Sequence, residues 1–241
     1  MVKNLFKRII IIAIILAVVG VVSYIMLRYD AEGEKSMPFS LGKILIISTV
    51  DGHVNEDQQN IWNISVEQVN DVYIYIEKNI DKDLTIKQIK LENFQLNNDV
   101  SRGVVKLLRP TGDLPNLYTY SQEDYFSKDL TYIGSSIDDM KSLEVSNEGG
   151  VLGFRLSLTD LGNFISNDAE QITYDGSLLS GLGINNEEIK FNVSFDIIIT
   201  TSENVNFKGT INLDLPIGNI IENGTENKEI SDFENIVFKR I

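Results

Sequence analysis

Nucleophilic side chains are scarce in this 241-residue chain, which has no cysteine and a single histidine, His53. The absence of cysteine excludes disulfides, thiol nucleophiles and Cys-ligated zinc or iron–sulfur sites. Ser40 and Lys43 match the S-x-x-K pattern of penicillin-interacting serine enzymes, but the S-D-N, K-T-G and G-x-S-x-G motifs do not occur. We therefore predict no nucleophilic catalysis and interpret His53 as a solvated histidine in a loop between two strands.

Paired carboxylates could support a different chemistry, the acid–base hydrolysis of glycans. Candidate pairs of adjacent acids include Glu123 with Asp124, Asp138 with Asp139, and Glu187 with Glu188. Adjacent side chains on a strand point to opposite faces, whereas a hydrolase needs two carboxylates facing each other with separated pKa values. We predict that the chain is not an enzyme, and we keep a carboxylate-based cell-wall or glycan hydrolase as the alternative function.

Oxygen donors crowd the segment 51–57, which contains Asp51, His53, Asn55, Glu56 and Asp57. Such a loop could hold calcium, although its spacing is not that of an EF-hand. A tight hairpin with a polar tip accounts for the same residues. We therefore predict no metal site and no cofactor, with calcium binding in this loop as the alternative.

Tyrosines are concentrated in residues 109–132, an irregular stretch that contains two of the four prolines. A tyrosine ring can bury surface area while its hydroxyl stays hydrated, which suits it to recognition surfaces. We assign any partner-binding surface to Tyr118, Tyr120 and Tyr125, with another envelope protein or a glycan as the partner. The alternative is that the aromatic rings of this stretch pack it onto the domain.

The N-terminus predicts a membrane anchor. A basic tail, residues 1–8, precedes an uncharged run at 9–27 that is followed by no small-x-small cleavage site, which argues against a cleaved signal peptide. The run is roughly 28 Å long at about 1.5 Å per residue, enough to cross a hydrocarbon core of about 30 Å. Because the basic residues precede it, we predict a single-pass cell-membrane protein with a cytoplasmic N-terminus and a polar stalk at 28–38.

The rest of the chain is strongly acidic. Four of the 21 basic residues and none of the 35 acidic residues precede residue 29, so residues 29–241 carry 17 basic and 35 acidic side chains, a formal charge of −18. A field of this sign repels phosphate backbones. We therefore predict that nucleic acid is not a partner.

Residues 39–241 are predicted to form an outer domain of antiparallel strands, because their apolar residues recur with a period of two. The alternation is clearest at 191–199 and 206–215, which predicts a hairpin with one face on the core. Gly209 falls on that face, where we expect a bulge or a close approach of another group. Further strands are predicted at 43–49, 61–66, 72–77, 84–96, 103–108, 142–146, 151–158 and 235–240.

Two features of this domain are less regular. The inward parity changes within 84–96, so we expect bulges there. Short helices are predicted at 121–126 and 159–165, because each segment begins with a capping residue. About ten short strands with few helices predict an antiparallel β-sandwich or a partly open barrel, and two subdomains that divide near residues 149–150 are the alternative.

The layout of short tail, single span and β-rich outer domain is similar to that of accessory proteins of bacterial envelope machines. Topology at that level says little about function. We expect a non-catalytic, extracytoplasmic module that binds or scaffolds another component of the cell envelope.

Overall fold

The computed structural model describes residues 2–34, 37–58, 61–79, 84–111, 119–133, 145–146, 149–166, 172–233 and 235–241. The protein is mainly β, with two antiparallel sheets, one long apolar N-terminal helix and a few short helices. This architecture confirms the predicted fold class.

The N-terminal helix, α1, spans Val2–Glu32. Its stretch Lys7–Asp30 is long and apolar enough to cross a membrane, and none of the most apolar part of that stretch is buried in the protein. The predicted span at 9–27 lies inside this stretch. Because α1 continues to Glu32, the first residues of the predicted stalk are helical.

Sheet 1 has six strands in the order β10-β1-β2-β7-β4, with β6 also paired with β7. Their bounds are β1 Phe39–Gln58, β2 Ile61–Lys78, β4 Val104–Leu108, β6 Val145–Ser146, β7 Gly149–Ser166 and β10 Thr225–Ile230. The three central strands are unusually long for a globular domain, at 20, 18 and 18 residues. β1 begins near the end of α1 and pairs with β2 as far as Gln58, which lies opposite Ile61.

Sheet 2 has five strands in the order β11-β9-β8-β3-β5. Their bounds are β3 Ile86–Leu96, β5 Leu130–Ile133, β8 Phe191–Thr201, β9 Asn206–Leu215 and β11 Lys239–Arg240. The short helices are α2 (Gly176–Gly181), a 3-10 turn (Asn186–Ile189) and α3 (Ile220–Asn223).

One hydrophobic cluster lies between the sheets. The predicted hairpin is confirmed, since alternate residues of β8 and β9 are buried and the two strands pair without a register shift. At the centre, the ring of Phe154 from sheet 1 meets that of Phe195 from sheet 2 edge-on, with 5.4 Å between centroids. Three buried polar residues of sheet 1, Ser48, Gln68 and Asn70, satisfy one another in a hydrogen-bonded network.

The segment 51–57 is strand rather than loop. Asp51 pairs with Glu67 and His53 with Ser65, so β1 continues through the predicted loop. The prediction is wrong because polar residues can extend a strand when a long partner, here β2, supplies the backbone hydrogen bonds. On a strand, Asp51, His53 and Asn55 follow one another along one face at intervals of roughly 7 Å, whereas a calcium loop wraps its ligands around one point.

Both predicted helices are also wrong. Residues 159–165 belong to β7, because pairing with β2 outweighs the local capping pattern. Residues 121–126 contain no helix, and Asp124 does not cap one. Its carboxylate instead accepts hydrogen bonds from the backbone N–H groups of Leu107 and Phe126, at 3.0 and 2.9 Å.

The irregularities predicted in 84–96 are confirmed. The pairing of β3 with β8 shifts register between Ile86 and Gln88 and again between Glu92 and Gln95. The close approach at Gly209 is confirmed as well, because a Cβ atom there would lie 3.0 Å from the ring of Phe238. Of the predicted strand at 235–240, only Lys239–Arg240 pairs with a sheet.

Some predictions stay untested. Residues 142–144 lie outside the described residues, while Val145–Ser146 form β6. Residues 149 and 150 begin β7 and pair with Glu77 and Ile76. The division into two subdomains at this point stays a prediction.

The end of α1 is fastened to the C-terminal segment, and we name this the helix-end contact. The backbone N–H of Arg240 donates to the hydroxyl of Tyr29 at 2.8 Å, and Lys239 pairs with Asp30 at 2.7 Å. Two residues beyond the helix, the N–H of Glu34 donates to the carbonyl of Phe238 at 2.7 Å. The sandwich is therefore held directly against the helix.

Candidate functional site

The outer face of sheet 1 gathers most of the charged groups that the fold places on its central strands. Asp51 and His53 of β1 share a face with Glu67 and Asp71 of β2, and the pairing registers set Asp51 opposite Glu67 and Asp71 opposite Arg155. We define the polar face as Asp51, His53, Glu67, Asp71, Arg155 and Ser157. These residues come from the consecutive strands β1 and β2 and from β7, which is distant from both in sequence.

An ion pair forms the centre of the polar face. Arg155 donates two hydrogen bonds to the Asp71 carboxylate, at 2.7 and 2.9 Å, and the two side chains are only 16% and 13% exposed. Asp51 lies 4.0 Å from the same guanidinium. Burial alone would lower the pKa of Arg155, but the bonds to Asp71 outweigh burial and raise it. Arg155 therefore stays charged and is held by two hydrogen bonds to Asp71.

Tyr120 covers this pair. The guanidinium carbon of Arg155 lies 4.1 Å from the centroid of the Tyr120 ring, a cation–π contact. The Tyr120 hydroxyl is buried and makes no hydrogen bond of normal geometry with the described residues. Burial, followed by the nearby charge of Asp71, raises the pKa of Tyr120 well above its usual range. The hydroxyl is therefore kept neutral at physiological pH.

A second hydrogen-bonded chain runs through Glu67. Its carboxylate accepts from the hydroxyl of Ser157 and bonds Nε2 of His53 at 2.7 Å. In a nucleophilic triad the imidazole lies between the hydroxyl and the carboxylate. Here the carboxylate is in the middle and His53 is 70% exposed. The order of the three groups is therefore not that of a serine–histidine–carboxylate triad.

A cleft of about 360 Å³ opens beside Glu67. Asp160 also lines it, at a bulge where three residues of β7 lie between the partners of Val66 and Gln68. Asp160 has a φ of 60°, a backbone conformation that costs energy in a residue other than glycine and recurs at functional sites. Two acids thus line one cleft.

Sequence reasoning did not bring these acids together. Glu67 and Asp160 are 93 positions apart, and their proximity depends on the register of β2 with β7. Asp71 and Arg155 were equally invisible as a pair. Their only sequence signal was a charge inside an apolar alternation, at positions 71 and 155.

Two of the three predicted partner-binding tyrosines, Tyr120 and Tyr125, lie along the edge of β4. Tyr120 packs on Arg155 as described, and Tyr118 lies outside the described residues. Tyr125 is half-buried between Arg109 and Lys128, and its hydroxyl donates to Glu123 at 3.0 Å.

The segment carrying these tyrosines also satisfies the free edge of sheet 1. The N–H of Tyr125 donates to the carbonyl of Leu107 at 2.7 Å, and that of Ser121 to Arg109 at 2.9 Å. Covering an edge strand in this way protects it from pairing with other chains. Two further rings of the same stretch, Phe126 and Tyr132, pack against or within the core.

The S-x-x-K pattern does not assemble a catalytic site. Lys43 pairs with Glu229 at 2.8 Å, and this bond raises the pKa of Lys43 rather than lowering it. A lysine that acts as a general base needs a lowered pKa. Ser40 is exposed on β1, with no base of this kind to activate it.

The predicted acid pairs have structural partners. Glu123 bonds Lys128, which lowers the pKa of that carboxyl, and Asp124 holds two backbone N–H groups. Glu188 completes a capping box with Asn185, and Glu187 pairs with Lys190. Asp138 and Asp139 lie outside the described residues.

Comparison of the chain with known protein families, with characterised proteins and with solved structures found no match.

Proposed function

We propose that this chain is a single-pass membrane protein whose acidic β-sandwich lies outside the cytoplasm and binds or scaffolds another component of the cell envelope. The helix-end contact is the observation that carries the proposal. A domain fastened at Tyr29, Asp30 and Glu34 holds a fixed position relative to its membrane helix. A fixed position favours a protein that presents one surface to a partner. An enzyme that acts at many places on an extended substrate would gain less from it.

The orientation is proposed from charge. Lys3, Lys7 and Arg8 precede the apolar run, and acidic residues follow it at Asp30, Glu32 and Glu34. Positive residues are retained on the cytoplasmic side. Protease added to intact protoplasts should digest the sandwich, and mass spectrometry should find an unprocessed N-terminus. Protection of the sandwich, or a mature chain that starts after residue 23, would overturn this orientation or the anchor.

The partner surface is proposed to include Tyr118, Tyr120 and Tyr125, with an envelope protein or a glycan as partner. A few rigid aromatic groups contribute most of the energy at many interfaces. Tyr125 is partly exposed beside two cations, which also suits a ligand with acidic groups.

A carboxylate-based hydrolase is the second candidate, favoured by the cleft that Glu67 and Asp160 both line. We expect purified peptidoglycan to remain intact with the detergent-solubilised full-length protein. Turnover that Glu67→Gln or Asp160→Asn abolishes, while the exposed control Asp214→Asn keeps it, would establish the hydrolase instead.

A further inference from the structure

The distance between the membrane helix and the sandwich is set by a short length of chain. If the uncharged run 9–27 fills the hydrocarbon core, Glu32 lies five residues beyond it, or about 8 Å along the helix axis at about 1.5 Å per residue. One headgroup layer is roughly 5–8 Å thick, because the whole bilayer is about 40–45 Å and its core about 30 Å. The helix therefore ends at the outer boundary of the headgroups.

The chain contacts the sandwich within two residues of the end of the helix. The N–H of Gly33 still donates to Tyr29, and that of Glu34 donates to Phe238. Arg240 bonds Tyr29 within the last turn of α1. Residues 238–240 consequently lie at the same level as residues 29–34, which is the level of the headgroups.

The surface at this level has the chemistry of a membrane interface. A groove of about 520 Å³ runs between the start of β1 and the C-terminal segment. We name it the base groove; its apolar lining includes Met37, Phe39, Leu41, Phe233, Ile236 and Phe238, and Glu32 and Glu34 line it as well. Four of these apolar residues are half-buried, namely Leu41, Phe233, Ile236 and Phe238, while Met37 and Phe39 are buried.

Charge and exposure at the C-terminus fit the same environment. Ile241 is 63% exposed, and Arg240 beside it is exposed and cationic. Aromatic and basic residues concentrate at membrane interfaces, where rings lie among the headgroups and cations pair with lipid phosphates.

We propose that the base groove and the adjoining C-terminal residues bind phospholipid, so that the sandwich contacts the membrane through its own base as well as through α1. Phosphate lies against Arg240, and the glycerol and upper acyl region enters beside Phe233 and Ile236. This inference rests on the proposed function, since it requires α1 to span the bilayer.

Fluorescence quenching by lipid tests the proposal, because the chain contains a single tryptophan, Trp62. In a Trp62→Phe background, one new tryptophan is placed at the base by Phe233→Trp, or at the far end by Ile165→Trp. Ile165 is 66% exposed and lies opposite Asn63 near the β1–β2 hairpin. β2 carries the chain from Lys78, at the base, to Asn63, a distance of about 50 Å at roughly 3.3 Å per residue.

Full-length variants are reconstituted in nanodiscs of phosphatidylcholine and phosphatidylglycerol with bromine on the upper acyl chain. Phe233→Trp should lose most of its emission relative to unbrominated discs, whereas Ile165→Trp should lose none. Ile236→Trp is the second base variant and should behave as Phe233→Trp does. Arg240→Gln should reduce quenching at the base when phosphatidylglycerol is present.

Two outcomes remain distinct. If the protein co-purifies with discs but neither base tryptophan is quenched more than Ile165→Trp, the lipid contact is wrong while the membrane span stands. If the protein does not co-purify with discs at all, the membrane anchor itself is wrong, and the base contact falls with it.

Discussion

At the scale of single residues, the Asp71–Arg155 pair decides how the polar face behaves. Removing two charges from water to this extent costs free energy, and in this pair the attraction between the charges offsets that cost. Folding does not require a charged pair at these two positions, since apolar residues of similar volume can replace such a pair.

Arg155→Ala should lower the free energy of unfolding by about 3–5 kcal/mol, because it leaves the Asp71 carboxylate buried and unpaired. The double variant Asp71→Leu/Arg155→Met should recover most of this loss. Urea unfolding of the full-length protein in detergent, followed by circular dichroism, measures both. Lys43→Ala, which removes the exposed pair with Glu229, is the control and should change stability little. If Arg155→Ala is as stable as Lys43→Ala, the prediction is wrong.

Tyr120 separates packing from recognition. Its hydroxyl is buried without a normal hydrogen bond, so Tyr120→Phe should change stability by no more than about 0.5 kcal/mol. Tyr120→Ala also removes the ring over Arg155 and should cost about 2–4 kcal/mol. If the alanine variant is as stable as the phenylalanine variant under the same urea titration, the ring is free of the sheet and belongs to an open recognition surface.

Asp196 on the outer face of sheet 2 gives a pH dependence. Burial opposes its charged form, but hydrogen bonds from Lys208, Asn93 and Thr210 outweigh burial and lower its pKa below 3.8. A carboxyl whose pKa is lower in the folded protein than in the unfolded chain stabilises the fold. This stabilisation is complete at pH values above the pKa of the unfolded chain, and it is lost as the pH falls through the pKa of the folded protein. Asp196→Asn should therefore destabilise at neutral pH and progressively less below pH 3.8. If the difference in unfolding free energy between Asp196→Asn and the original protein stays constant down to about pH 2, the titration of Asp196 does not contribute to stability.

At the scale of elements, the close contact at Gly209 links β9 to the C-terminal segment. A side chain at this position would meet the Phe238 ring, 3.0 Å from the new Cβ. Gly209→Val should displace Phe238 and loosen β11, so the amides of Arg240 and Ile241 should exchange faster with deuterium. Asn212→Ala, on the exposed face of the same strand, should leave those amides protected. Equal protection in both variants would show that the segment holds without Phe238.

The strands were predictable where one face is apolar and the other polar. β8 and β9 are correct because their alternation is complete and their connection is short. Segment 51–57 was mistaken for a loop because five of its seven residues are polar and Val54 is its only large apolar residue, so only the pairing with β2 reveals it as part of β1. The Asp71–Arg155 pair could not be predicted for the same reason. The two residues are 84 positions apart, and the local sequence does not determine the register between their strands.

At the scale of the whole molecule, we expect the sandwich and the apolar helix α1 to fold as separate units that the helix-end contact joins. The core lies entirely beyond residue 36. A fragment of residues 37–241 should therefore unfold in one cooperative transition with a β-type circular dichroism spectrum, without added metal.

The same fragment should have a loosened C-terminus, because Tyr29, Asp30 and Glu34 are missing. We expect faster deuterium exchange at Arg240, whose N–H loses its acceptor Tyr29, and unchanged exchange in β8 and β9. A spectrum dominated by helix, or a requirement for calcium, would contradict the separation of the two units.

The length of β1 has a mechanical consequence. This strand runs from Phe39, seven residues after the end of α1, to Gln58 beside the β1–β2 hairpin, about 60 Å at roughly 3.3 Å per residue. A pull on that hairpin, by anything that grips it, would travel down one covalent backbone into α1. The hydrogen bonds between β1 and its neighbours lie across the direction of pull and would be sheared together rather than unzipped one at a time. We therefore expect the sandwich to resist a pull along β1 better than a pull that separates β1 from its neighbours one hydrogen bond at a time.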